Sequence, residues 1–126
     1  MATMQRVSLS PKKLLLTEVL TGGRYDARKL AALLDWNLDD VAHYLGRDLS
    51  TVSRHSTSIK YQDALAAMAV VVKEILDLLG SDIDMVRAWF RTPIHALEAS
   101  PKELIVEGQF ARVEALVSEY ESSLAF

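Results

Sequence analysis

The chain's 126 residues are 50% hydrophobic and 25% charged, with a net charge of −3 and no cysteine. This is an ordinary globular composition with enough chain for one buried core, and it excludes a disulfide framework, a thiolate zinc site and a cysteine nucleophile. The longest apolar run, residues 64–72, falls short of the roughly 20 residues a membrane helix needs, and residues 1–10 lack the apolar stretch of a signal peptide, so a soluble cytoplasmic protein without membrane contact is expected.

Ser10 and Pro11 read as an N-cap followed by proline at the first helical position, after a polar lead-in. Leu14, Leu15, Val19 and Leu20 then form one apolar face, and Gly22 and Gly23 end this first helix. Asp26 caps a second helix, with Leu30, Leu33 and Leu34 inward and Trp36 near its end.

Residues 38–56 have the spacing of a helix-turn-helix. Asn37 caps a helix over residues 38–45, in which the small side chain of Ala42 lets a second helix pack close. Gly46 accepts the left-handed backbone of a sharp turn. The second helix runs from about Thr51 to His55 with Ser50 as its cap; Leu49 and Val52 fasten it to the core, and Ser50, Thr51, Ser53 and Arg54 face outward. In a DNA-binding version those outward side chains enter the major groove. The candidate DNA contacts are therefore Arg47, Ser50, Thr51, Ser53, Arg54, His55 and Lys60, with Arg54 as the one strong base reader.

Residues 61–79 give the strongest helix signal, with Leu65, Met68, Ala69, Val72, Ile75, Leu76 and Leu79 at three- and four-residue steps and further apolar residues on other faces. This should be the central, most buried element, stopped by Gly80. Ser81 with Asp84 reads as a capping box for a helix through Arg91, with Met85, Val86, Trp89 and Phe90 as its apolar face and Thr92 and Pro93 as its break. Ser100, Pro101 and Glu103 combine a cap, a first-turn proline and a box glutamate; Gly108 ends that helix. A last helix carries Phe110, Val113, Leu116, Val117 and Tyr120 on one face, before an apolar Leu124-Ala125-Phe126. No stretch reads as a strand. The expected fold is all-α, with residues 1–60 holding the helix-turn-helix and residues 61–126 the central helix and the shorter helices after it, as one compact unit.

Charge divides along the same line. Residues 1–60 hold nine Lys+Arg and six Asp+Glu, a balance of +3, whereas residues 61–126 hold five and eleven, a balance of −6. Two surfaces with different partners are one reading, and chance asymmetry on solvated faces is the other. Phosphate binding needs positive charge only locally.

Ala88-Trp89-Phe90, Thr92-Pro93, Leu97, Ser100-Pro101, Leu104, Gly108, Val113 and Leu116 together resemble the toxin-binding domain of the Xre/MbcA/ParS antitoxin family. The helix-turn-helix fits the Xre-like module that precedes this domain in the family, so the resemblance covers the chain from about Leu30. The chain departs from the pattern at Ile94, where the family usually has asparagine, and at Glu98 and Ala99, where it favours glycine. The resemblance implies an antitoxin of a type II toxin–antitoxin pair. Its partner would be a RES-domain toxin that consumes NAD and whose active-site entrance the C-terminal region blocks, with the helix-turn-helix binding the operon's own promoter. Trp89, Pro93, Pro101, Glu119, Glu121, Leu124 and Phe126 are the toxin-binding candidates: apolar Leu124 and Phe126 are costly to expose, and the glutamates can pair with the basic groups of a nucleotide-consuming enzyme.

Catalysis is not expected. His43, His55 and His95 lack metal-ligand spacing, there is no phosphate-cradling or nucleophile-elbow motif, and Asp39, Asp40, Asp82 and Asp84 are explained as charges favoured at helix N-termini. No metal or cofactor is expected, and a homodimer is, because a short helix-turn-helix reads a two-fold site in two copies. The alternatives are a stand-alone Xre-like regulator whose back half only dimerises, and an antitoxin whose helix-turn-helix no longer reads DNA.

Overall fold

Gly22 and Gly23 make a hairpin rather than a helix end. The computed structural model describes residues 17–123, so the expectations for Ser10, Pro11, Leu14 and Leu15, and for Leu124 and Phe126, lie outside the described residues. Strands β1 (Leu20–Thr21) and β2 (Arg24–Tyr25) pair antiparallel, with Leu20 opposite Tyr25 and Thr21 opposite Arg24. Gly22 and Gly23 both take positive φ, 59° and 80°, which is the requirement of the tight two-residue turn whose twist matches its strands. Gln62 decides the outcome from 37 residues away: its Oε1 accepts the Tyr25 N–H at 2.7 Å and its Nε2 donates to the Tyr25 carbonyl at 3.0 Å. Leu20 therefore belongs to a strand, and the expectation of no strand is corrected.

Asp26 locks this hairpin to α1 (Ala27–Leu34). Its carboxylate accepts the Arg28 N–H at 2.9 Å and the Thr21 hydroxyl at 2.8 Å, while its own N–H donates to the Val19 carbonyl at 2.8 Å. Helix α2 (Leu38–Leu45) starts at Asn37, whose N–H donates to the Asp40 carboxylate at 3.1 Å, and ends at Gly46 with φ 69°. Helix α3 (Leu49–Arg54) is capped by Asp48, not Ser50. Val52 is fully buried, but Leu49 is 43% exposed, so Val52 alone fastens α3 to the core. The three-residue spacing that puts Leu49 on Val52's side does not bury it at the first helical position of α3.

A short 3-10 turn (Ile59–Tyr61) leads into α4 (Gln62–Leu78), which buries Leu65, Met68, Ala69, Val71, Val72, Ile75 and Leu76. Helix α5 (Ile83–Arg91) is capped by Asp82; Ser81 precedes it in a left-handed conformation (φ 70°), and Met85 is 50% exposed rather than part of the apolar face. Helix α6 (Pro101–Val106) has the expected reciprocal box, Glu103 N–H to Ser100 Oγ at 3.1 Å and Ser100 N–H to Glu103 Oε1 at 2.9 Å. Helix α7 (Phe110–Ser123) buries Val113, Leu116 and Val117. Helices thus dominate the described residues, and the hairpin is the small exception.

One buried cluster draws on every helix from α1 to α7. A line of rings, Trp36 to Phe90 to Trp89 to Tyr120, joins the loop after α1 to α5 and α7 through edge contacts of 5.8, 5.0 and 6.4 Å. Polar ties cross between the halves: Lys102 Nζ meets Asp40 at 3.2 Å, Arg87 Nε donates to the Leu33 carbonyl at 2.7 Å, and the Tyr44 hydroxyl donates to the Ala64 carbonyl at 2.6 Å. Among the described residues no helix is long and apolar enough to cross a membrane.

Burial pushes the Asp26 carboxyl up, but hydrogen bonds from Thr21, Ser56 and the backbone of Arg28 and Lys29 outweigh it and hold Asp26 below its ordinary value. A depressed carboxylate stabilises the fold above its unfolded value and loses that contribution as the pH falls through the folded one. Asp26→Asn should therefore cost about 1–2 kcal/mol at pH 7. Thermal melts of the two proteins should begin to converge only as the pH falls below about 4 and should coincide once it passes below the lowered folded value.

Candidate functional site

Two surfaces carry the candidate residues. The first is α3 and its flanks. Arg47, Arg54, His55 and Lys60 are all exposed, whereas the hydroxyl residues are committed within the fold. Ser50 Oγ donates to Asp48 Oδ2 at 2.5 Å and Thr51 Oγ1 donates to Asp48 Oδ1 at 2.8 Å. With their protons on Asp48, both hydroxyls remain acceptors and have no hydrogen to give a phosphate. Ser53 accepts Arg28 Nη2 at 2.7 Å on its hydroxyl and at 2.6 Å on its carbonyl, so Arg28 from α1 joins this face.

The hydrogen bonds from Ser50 and Thr51 lower Asp48 to about 2. A carboxylate therefore stands at the N-terminus of α3, where it offsets the positive end of the helix dipole. Sequence reasoning missed Asp48 by choosing Ser50 as the cap. An aspartate immediately before Leu49 and three residues before Thr51 was the available signal. His43 Nδ1 donates to the Asp39 carbonyl at 2.9 Å, which fixes its tautomer; His55 and His95 are exposed. Among the described residues no group of three His, Asp or Glu is placed to hold a metal ion.

The second surface belongs to the back half, and it separates the toxin-binding candidates. Pro101 is buried at the first position of α6, and Pro93 is exposed at the end of α5. Between them Ile94 N–H donates to the Ala99 carbonyl at 3.0 Å, closing a turn in which Glu98 is left-handed, φ 58°. The Glu98 backbone conformation is one that glycine adopts without steric cost. Trp89 is half-buried in the ring line, beside Tyr120.

Helices α4 and α7 run side by side in the same direction, since Val70 and Val71 lie opposite Ala111 while Ile75 and Leu78 lie opposite Tyr120. Between them is an open groove of about 330 Å³, lined by Val70, Val71, Ala111 and Ala115 and edged by Glu74 and Glu114. Val70 is 47% exposed. Burial, the charge and hydrogen bond of Glu121, and the charge of Glu114 together push Glu74 above its ordinary value; Lys73 only partly offsets them. Glu74, Glu114 and Glu121 are thus one carboxylate cluster. Glu119, two residues from Glu121 and so about 200° around the helix, points away from it.

Sequence reasoning named Glu121 and missed its companions. Glu114 and Glu121, seven apart, share a helix face, a signal readable by periodicity. Glu74 joins them only through the packing of α4 on α7.

No protein-family model matches the chain, and no curated protein or solved structure is significantly similar to it.

A carboxylate whose folded value is raised weakens the fold once the pH exceeds its unfolded value, because the native state then holds a proton the unfolded chain has lost. Glu74→Gln should accordingly raise the melting temperature at pH 7. Near pH 4 and below, where glutamate is protonated in both states, the two proteins should melt alike.

Proposed function

We propose that this chain is the antitoxin of a type II toxin–antitoxin pair, which binds and neutralises a RES-domain, NAD-consuming toxin and binds its own operator DNA as a second activity. The observation that carries the reading is the α4–α7 groove: Val70 stands exposed on it, Glu74 and Glu114 edge it, and Glu121 bears on Glu74, a concentration of negative charge that a cationic partner would relieve. An enzyme that binds a nucleotide needs basic side chains for the phosphates, and a carboxylate-edged groove is complementary to such an entrance. The family resemblance of residues 88–116 supports the same partner. On this reading Pro93, Glu121 and the groove face the toxin, and Trp89 and Pro101 hold the supporting elements in place.

The DNA activity draws on Arg47, Arg54, His55 and Lys60 around α3, on an Xre-like helix-turn-helix acting in a homodimer. A stand-alone regulator is the second reading, favoured by this exposed basic set. Asp48 weighs against strong DNA reading, since it sets a fixed negative charge at the end of α3 that such helices point toward the bases.

A tagged chain should capture from source-cell lysate one stoichiometric protein that degrades NAD when released. Joint replacement of Glu74, Glu114 and Glu121 by glutamine should weaken that capture by roughly tenfold or more at low salt. A variant that holds the same enzyme as tightly would remove the groove from the interface, and absence of any such enzyme would sink the antitoxin reading.

For the second activity, Arg54→Ala should weaken binding to the chain's own promoter fragment by about tenfold in a gel shift, the loss of one base contact. Unchanged affinity would show that Arg54 reads no base.

A further inference from the structure

Two exposed surfaces of this chain match each other in charge. On the front, Arg47, Arg54 and Lys60 are exposed, and among the described residues their side chains have no hydrogen-bond or ion-pair partner, unlike those of Arg24 and Arg28. The same stretch exposes two apolar side chains, Leu49 at the start of α3 and Ile59, which is 66% exposed next to Lys60. On the back, the α4–α7 groove carries exposed Val70, with Glu74 and Glu114 at its edge and Glu121 bearing on Glu74. Arg112 of α7 turns to Gln109 and the Leu97 carbonyl, which leaves Lys73 to offset this cluster.

We propose that the α4–α7 groove receives the α3 edge of a second copy of this chain, in a head-to-tail contact that sets Arg47, Arg54 and Lys60 against Glu74, Glu114 and Glu121. Opposite charge selects this occupant first, because groove against groove, or α3 against α3, would bring like charges together. The spans agree as well. Glu114 and Glu121, seven residues apart on α7, stand about 10 Å apart along its axis. The six residues of α3 cover about 9 Å, with Arg47 just before them and Arg54 at their end. Both surfaces also expose apolar side chains that the contact covers. Asp48 is a like charge on the approaching edge, but its carboxylate is already turned to Ser50 and Thr51. A head-to-tail contact does not close on itself, so copies add in a row. Exposed ion pairs are individually weak and screened by salt, so the row is loose and forms only at high concentration. Within it both candidate surfaces are covered, and a partner of either one has to displace a neighbour. Neither toxin nor DNA takes part, so the inference stands or falls apart from the antitoxin reading.

The test is sedimentation equilibrium of the full chain over a roughly hundredfold range of concentration, up to about 1 mM, in about 50 mM and about 500 mM salt. At low salt the average mass should climb with concentration without levelling off at twice its starting value. At high salt it should stay at the starting value. Replacing Glu74, Glu114 and Glu121 by glutamine should abolish the climb, and so should replacing Arg47, Arg54 and Lys60 by glutamine. None of the six belongs to the buried core, so both variants should fold, and thermal melts check that they do. An equal mixture of the two variants should reach twice the mass of either and stop there, since one supplies an intact α3 edge and the other an intact groove. A mixture that does not associate, a climb that either variant retains, or a wild-type mass that never rises would overturn the proposal. So would a mass that levels off at twice the starting value, the mark of a two-fold contact.

Discussion

Helix α4 sets the terms for everything else in the molecule. It is apolar on most of its circumference, and seven of its seventeen residues are buried. Such a helix is stable in water only when other elements cover it on several sides. The hairpin is clamped to its start through Gln62, α5 and α7 pack along it, and Tyr44 of α2 reaches its first turn at the Ala64 carbonyl. The front and back of the sequence meet around one element that neither could bury alone. Burying a side chain such as Leu65 or Ile75 contributes about 1.5–3 kcal/mol, so the element orders its surroundings by area rather than by any one contact.

The features legible in the sequence are those that depend on neighbours a few residues away. The start of α6 is the clearest case: Ser100, Pro101 and Glu103 determine a helix N-terminus among themselves, and the two hydrogen bonds of the box are both formed. Gly46 is another, because a left-handed turn between two short helices is a property of the glycine itself. The failures depend on distance or on competition. Gly22 and Gly23 suit a helix end and a hairpin equally, and Gln62 makes the choice. At α3 two adjacent capping candidates competed, and Asp48 prevailed over Ser50 by drawing in the Thr51 N–H and both hydroxyls. At α5 Ser81 lost to Asp82 because it is needed for the left-handed exit from Gly80.

The candidate surfaces divide in the same way. Arg54 could be read from the sequence because it stands two residues from buried Val52 on α3, while Arg47, His55 and Lys60 fall in the polar connections around that helix. Ser50, Thr51 and Ser53 could not, because a hydroxyl exposed by spacing can still give its proton to a neighbour or take one from Arg28. For the carboxylates the missing information was the parallel alignment of α4 and α7. Sequence periodicity gives the face of each helix, but only the register between them brings Glu74 to Glu121.

The division into a basic front and an acidic back therefore has a different meaning on the folded surface. Much of the front's positive charge is engaged internally: Arg28 on Ser53, Lys29 on the Leu20 carbonyl at 2.6 Å, and Arg24 on the Thr57 carbonyl at 3.5 Å. In the back, Arg112 on α7 turns to Gln109 and the Leu97 carbonyl, and Lys102 turns to Asp40. Arg112 and Lys102 are thus drawn to the turn after α5 and to α2, while the charges of Glu114 and Glu121 bear on Glu74 with only Lys73 as a partial offset. Charge engaged in holding the fold is less open to a partner, and charge left in mutual repulsion invites one. That contrast is why the proposed partner surface is placed on the α4–α7 groove rather than on the front half.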